Sequence, residues 1–280
     1  MDDSYGLYKL QKASLAVLKC IDDICISQGI KYMLDAGTLI GCVRHGGFIP
    51  WDDDIDIAMT RDEWEKFRAF APSMLPSDMY LLEPDDFCDG TRFYDFTARV
   101  IYRKSRRKDV DAESTFYEEK LNHIWVDIFI LDELPDVGIK RQVLLLKQKI
   151  IYMLAMGHRW TFDINKYPMH YKVLLLVGST IGRLVPMKKL FAMQDKLSRK
   201  YNGMGGEYAY YSNYQPDYLY VTLRQKWCSE LIRSDFEDIK VYISQYYDDI
   251  LKEVYGDYMT LPPEGERVPT HGSKEIEIYE

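Results

Sequence analysis

Residues 32–59 read YMLDAGTLIGCVRHGGFIPWDDDIDIAM, a glycine-containing turn followed by four aspartates, Asp52, Asp53, Asp54 and Asp56, within five positions. From Asp54 to Ile57 acid and isoleucine alternate, and a period of two marks an extended strand. Asp54 and Asp56 then share one face, with Ile55 and Ile57 on the other. Same-face neighbours on a strand stand roughly 6.5 to 7 Å apart, so their side chains can converge on one hard cation. Oxygen-only ligands favour Mg²⁺ or Mn²⁺. Acidic runs commonly coat a solvated surface, but Trp51 before this one and the strict alternation after it set it apart. Upstream, Gly37 and Thr38 precede Leu39 and Ile40, which predicts a tight turn feeding a short helix whose first amides meet a phosphate.

The run from Gly37 to Met59 resembles the core motif of the LicD family, a branch of the nucleotidyltransferase superfamily that includes bacterial phosphocholine transferases and is similar to the fukutin-related ribitol-phosphate transferases. The tail from Phe236 to Gly272, FEDIKVYISQYYDDILKEVYGDYMTLPPEGERVPTHG, resembles the family's C-terminal pattern. The two motifs sit at opposite ends, and the middle of the chain is poorly matched. The resemblance implies an α/β (α+β) fold with a nucleotidyltransferase-like mixed β-sheet core flanked by helices and a helical insertion. The expected division is a catalytic core over 1–135, the helical insertion over 136–200, and a C-terminal part, 201–280, that completes the catalytic domain.

Members of the superfamily carry a third carboxylate on a strand beside the Asp-x-Asp strand, and Asp127 matches that position. It interrupts the apolar run IWVDIFILD of residues 124–132, where a lone carboxylate is costly unless paired or metal-bound. The expected catalytic and metal-binding set is therefore Asp54, Asp56 and Asp127, with Asp127 accepting or orienting the proton of an incoming hydroxyl. Gly37 and Thr38 are expected to contact phosphate, Arg44 and Arg99 to add charge-assisted hydrogen bonds, and Asp52 to orient a neighbouring group. Arg99 stands out from Arg103, Lys104, Arg106, Arg107 and Lys108 because it lies inside a strand pattern, whereas Arg106 to Lys108 read as a solvated hairpin tip. Asp132, followed by Leu134-Pro135, reads as a turn cap, although the family it resembles also carries an aspartate there. His271 is either an active-site group or an exposed tail residue.

Aspartates with a divalent metal suit phosphoryl chemistry. For the LicD family the resemblance implies transfer of a phospho-alcohol from a CDP-activated donor, CDP-choline leading, to a hydroxyl of a cell-surface glycan or lipid-linked glycan precursor such as teichoic acid, lipopolysaccharide or capsule, with release of CMP. A nucleotidyltransferase moving a nucleoside monophosphate to a small molecule would need the same metal geometry, and a non-catalytic binding module is a third reading. Intact Asp54, Asp56 and Asp127 weigh against the last.

The whole chain sets further bounds. Its 280 residues can bury a substantial core, and 47% hydrophobic with 29% charged residues describes an ordinary folded protein. A net charge of −8 argues against broad nucleic-acid binding, which relies on a basic surface. Five cysteines without a CxxC pair or zinc spacing read as reduced thiols. The opening MDDSYGLYKL lacks the features of a signal peptide, and the apolar stretch Val173 to Gly182 is too short to span a bilayer. A cytoplasmic location, with peripheral contact at the inner membrane face as an option, is the expectation.

Apolar spacing predicts a first helix over about 5–28 stopped by Gly29, and strands over 30–34, 79–83 and 93–103. Thr60 and Glu63 read as a capping box for a helix that Pro72 and Pro76 break. Residues 136–200, rich in Leu, Ile and Met with interspersed Lys and Arg, predict two or three helices, packed over the sheet or turned toward a membrane. Tyrosines 208, 210, 211, 214, 218 and 220 either pack a loop or form an aromatic cage for a quaternary ammonium such as choline.

Overall fold

A computed structural model describes residues 5–136, 138–161, 169–269 and 276–279, with only the helical backbone described for 169–171. The chain begins with α1 (Tyr8–Gln28), β1 (Met33–Leu34), α2 (Ala36–His45), β2 (Asp56–Thr60), α3 (Arg61–Met74), β3 (Met79–Leu82), β4 (Ala98–Tyr102) and β5 (Ser105–Arg107). It continues through α4 (Ala112–Phe116), β6 (Ile124–Leu134), α5 (Ile139–Ala155), α6 (Met169–Gly182) and α7 (Met187–Ser198). The last part holds β7 (Tyr208–Tyr211), β8 (Thr222–Arg224), α8 (Gln225–Ser229), β9 (Leu231–Phe236), β10 (Ile239–Ser244), α9 (Tyr247–Tyr255) and β11 (Ile276–Ile278).

A mixed sheet with the order β1-β2-β6-β4-β3 forms the centre. Strand β6 pairs in parallel with β2 and antiparallel with β4, and its far end pairs with β7, which carries β8. The C-terminal part of the chain therefore completes the sheet begun by the first half. Leu18, Ile21, Ile24 and Cys25 of α1 enter one core cluster with Ile55, Ile57, Val126 and Ile128 of the sheet. Such a buried central strand needs the near-continuous apolar run that β6 supplies. Helices α5, α6 and α7 form a second cluster around Ile151, Tyr152, Leu175 and Leu190, joined by Phe93 and Phe96.

Several local expectations change. Strand β4 begins at Ala98 rather than Phe93, because Phe93 and Phe96 turn away to stack on Tyr152 and Asp95 accepts the Thr97 N–H. Thr60 is the N-cap of α3 without a side-chain bond; Glu63 instead accepts the Lys31 N–H and pairs with Lys66, so the capping box does not form. Pro72 lies inside α3, which runs on to Met74, so the helix ends between the two prolines and not at the first.

Candidate active site

The site starts from strand register. Asp56, the first residue of β2, pairs with Asp127 of β6, and Asp127 pairs with Arg99 of β4. Directly paired residues of neighbouring strands present their side chains on the same face, with strands about 4.8 Å apart. An Asp-Asp-Arg row therefore crosses three adjacent strands. Asp54 lies just outside β2; the Ile55 carbonyl between the two aspartates accepts the Asp127 N–H at 3.0 Å, which fastens this segment to β6. Asp52, Asp53 and Asp54 each bring a carboxylate oxygen within 4.8 Å of the others. Asp54 thus belongs to that cluster and to the charge field around Asp56.

Helix α2 supplies the other wall. The Asp35 N–H donates to the Asp56 carbonyl at 3.0 Å, and Thr38 Oγ1 accepts the Asp56 N–H at 2.9 Å. Thr38 thereby holds the strand as well as opening the helix. Ala36 has φ 46°, a left-handed value that a non-glycine residue keeps only under constraint. A Cβ on Gly37 would lie 2.8 Å from Asp52 Oδ2, so the glycine leaves room for that carboxylate.

The electrostatics are those of crowded acids. Burial, then repulsion from Asp54 and Asp127, raises Asp56 well above the usual carboxylate range. Burial pushes Asp127 up to about 6 against the opposing pull of Arg99, and pushes Asp35 up to about 6 against the Tyr211 hydroxyl, which donates to it at 2.9 Å. Asp127 Oδ2 accepts the Trp125 indole N–H at 2.9 Å. Its Oδ1 lies 2.8 Å from Arg99 Nε as a charge contact but has no hydrogen-bond partner. A buried carboxylate oxygen short of a donor, beside further carboxylates, is the donor set a hard divalent cation fits.

Residues 29–150 match the family described as LicD/FKTN/FKRP, nucleotidyltransferase domain. These residues form a LicD-family nucleotidyltransferase domain. Over 277 residues, 95% of this chain and 96% of the relative, it is 28% identical to the lipopolysaccharide cholinephosphotransferase LicD of Haemophilus influenzae. An uncharacterized protein of Rickettsia prowazekii is 40% identical over 131 residues, 43% of this chain and 49% of that one. The human ribitol 5-phosphate transferase FKRP is 48% identical over 31 residues, 11% of this chain and 6% of that one.

The other anticipated residues have distinct surroundings. The guanidinium of Arg99 forks onto Asp95 at 2.9 and 2.6 Å while its Nε faces Asp127. Its terminal nitrogens bond to Asp95 and to the Thr97 carbonyl, and Nε meets Asp127 only as a charge contact. Arg44 donates to the Tyr258 carbonyl at 2.6 Å, tying the helix to the C-terminal segment, and Asp52 and Arg267 act on its charge. Arg267 lies over the Trp51 ring. Asp132 is no turn cap: it is buried and bonded to Arg61, Asn202 and Ser212. His271 lies outside the described residues.

A small cavity of about 40 Å³ opens beside Asp35, lined also by Ala36, Tyr211, Tyr214, Tyr218 and Tyr255. Charge on Asp35 and Asp56 reaches Tyr214 and Tyr255, which puts this pocket next to the acidic row. Of the anticipated tyrosines, 211, 214 and 218 meet here. Tyr210 instead bonds to Gln148, Tyr208 lies between Arg141 and Arg224, and Tyr220 is exposed. Asp35, Asp95 and Tyr255 were not singled out from the sequence. Asp35, two residues before Gly37, had the clearest local signal.

Proposed function

We propose that this LicD-family transferase moves phosphocholine from CDP-choline to a hydroxyl of a cell-surface glycan or glycolipid precursor and releases CMP. The observation that carries this reading is the tyrosine-walled pocket with Asp35, set against the Asp56 and Asp127 row. Aromatic faces and a carboxylate are what a quaternary ammonium needs. The name of the Haemophilus influenzae relative, which matches nearly end to end, supports the same choice.

Choline would sit among Tyr214, Tyr218 and Tyr255 with Asp35 as counter-charge. Tyr218 and Tyr255 form a half-exposed outer wall, and their rotation enlarges a cavity too small for the headgroup as it stands. Gly37 and Thr38 in the opening turn of α2 offer backbone N–H groups to the adjoining phosphate, while Arg44 adds positive charge from the far end of the helix. Asp54, Asp56 and Asp127, with Asp52 and Asp53 alongside, would hold Mg²⁺ or Mn²⁺. When bound, the ion neutralises the diphosphate and supports the departing CMP oxygen. Asp127 accepts the proton of the acceptor hydroxyl as its oxygen bonds to the choline-bearing phosphorus and the bond to the CMP oxygen breaks. Arg99, braced by Asp95, fixes Asp127 for that task. A cytoplasmic reaction, where nucleotide-activated donors are made, is part of this reading.

Incubation with CDP-choline, CDP-ethanolamine, CDP-glycerol, CDP-ribitol and a nucleoside triphosphate, reading CMP or pyrophosphate release, tests the reading. CDP-choline should be turned over best. Turnover of the triphosphate alone, with labelled nucleotide in the product, would replace phospho-alcohol transfer by nucleotidyl transfer.

A further inference from the structure

Helices α5 and α6 leave an apolar surface uncovered. On α5, Leu144, Gln148, Ile151 and Ala155 are buried, whereas Ile139, Val143, Leu146 and Ile150 repeat at spacings of four, three and four and are exposed. At about 100° per residue these are opposite faces of one helix. On α6, Val173, Leu174, Val177 and Ile181 are exposed by half or more, and Leu184 just beyond it is 83% exposed. The inner side of α6 presses on α5: a Cβ on Gly178 would meet the Met153 side chain, and one on Gly182 the Leu154 carbonyl. That close approach leaves the aliphatic side of α6 facing outward.

Charge identifies what covers this surface. Between residues 138 and 194 the sequence holds ten Lys or Arg and one Asp, a net +9 within a chain of net −8, so the remainder carries −17. On α5, helical spacing puts Lys140 and Lys147 on one flank of the exposed stripe and Lys149 on the other, and all three are exposed. Among the described residues, none of them appears in an ion pair. Long basic side chains beside an aliphatic stripe suit a phospholipid surface, where the stems lie along the acyl boundary and the ammonium groups meet phosphates. A second copy of this chain would oppose the lysines beside one stripe with those beside another. No helix among the described residues is long and apolar enough to cross a membrane. We propose that the outer faces of α5 and α6 dock the enzyme peripherally on an anionic bilayer, independently of which donor it uses.

Cosedimentation of the full-length protein with phosphatidylcholine vesicles, with and without phosphatidylglycerol, at low and high salt, tests this. Binding should require phosphatidylglycerol and weaken with salt. The double variant Val177→Glu/Ile181→Glu, and separately Lys147→Glu/Lys149→Glu, should each weaken it at least about tenfold while circular dichroism stays unchanged. The lysine variant keeps the proposal testable if the α6 variant fails to fold. No binding to anionic vesicles, or binding that the lysine variant leaves intact, overturns the proposal. Light-scattering detection of a dimer that the α6 variant dissociates would also overturn it, assigning the face to a second copy.

Discussion

Replacing Tyr255 by alanine should lower the efficiency with CDP-choline while sparing donors without a cation. Tyr255 and Tyr218 are the half-exposed outer rings of the pocket whose inner wall is Tyr211, Tyr214 and Asp35. One ring facing a quaternary ammonium contributes about 0.5–1 kcal/mol when exposed and about 2 kcal/mol when desolvated. At about 1.4 kcal/mol per tenfold, loss of the ring reduces kcat/KM for CDP-choline roughly two- to thirty-fold. CDP-glycerol, compared in the same CMP-release assay, should change less than about twofold. Tyr255→Phe keeps the ring and should stay near the parent enzyme. Because the side chain is only about half buried, stability should fall by about 1–2 kcal/mol, and the donor comparison is made on folded protein. An equal loss with both donors would refute cation recognition by this wall.

Other predictions concern the acidic row. Arg99→Gln leaves Asp95 and Asp127 unpaired in a buried setting and should cost about 3–5 kcal/mol in denaturant unfolding, partly restored by Mg²⁺; an unchanged midpoint would show that the triad does not stabilise the fold. Gly37→Ala drives a Cβ against Asp52 Oδ2, the movable end of a side chain, so the protein should fold normally and lose roughly ten- to a hundred-fold in kcat; parent-like turnover would remove Asp52 from the site. Asp35 and Asp127 both stand at about 6 when folded, above the unfolded carboxylate value, so the folded metal-free protein binds more protons than the unfolded chain. Its stability is therefore greatest below about pH 4 as far as these two groups are concerned, and it falls as pH rises through about 6. Mg²⁺ affinity should run the other way and increase between pH 5 and 7 with proton release; calorimetry in buffers of different ionisation enthalpy would reveal a flat profile if the acids are not ligands.

What the sequence made legible was local or periodic. The Asp-Ile-Asp alternation located the edge of β2, and the apolar run around Asp127 located β6, because strand faces and burial leave a mark within a few residues. Their parallel register, with Asp56 opposite Asp127, agrees with two neighbouring acid-bearing strands. Arg99 shows the limit. Its place in a strand was readable, but its partner Asp95 sits in a loop with no pattern of its own, and that contact directs the guanidinium away from open space. Asp35 and Tyr255 meet across 220 residues of chain, a juxtaposition that no periodicity encodes. Glu63 had the spacing of a cap and was taken by the Lys31 N–H, a tertiary partner competing for the same carboxylate.

Titrating Mg²⁺ calorimetrically into the parent protein and into Asp56→Asn and Asp127→Asn tests the core of the account. The parent should bind the ion saturably, and each variant, folded by circular dichroism, should bind at least about tenfold more weakly because one charged ligand is gone. Absence of binding to the parent, or equal affinity in all three, would contradict a divalent cation held between β2 and β6.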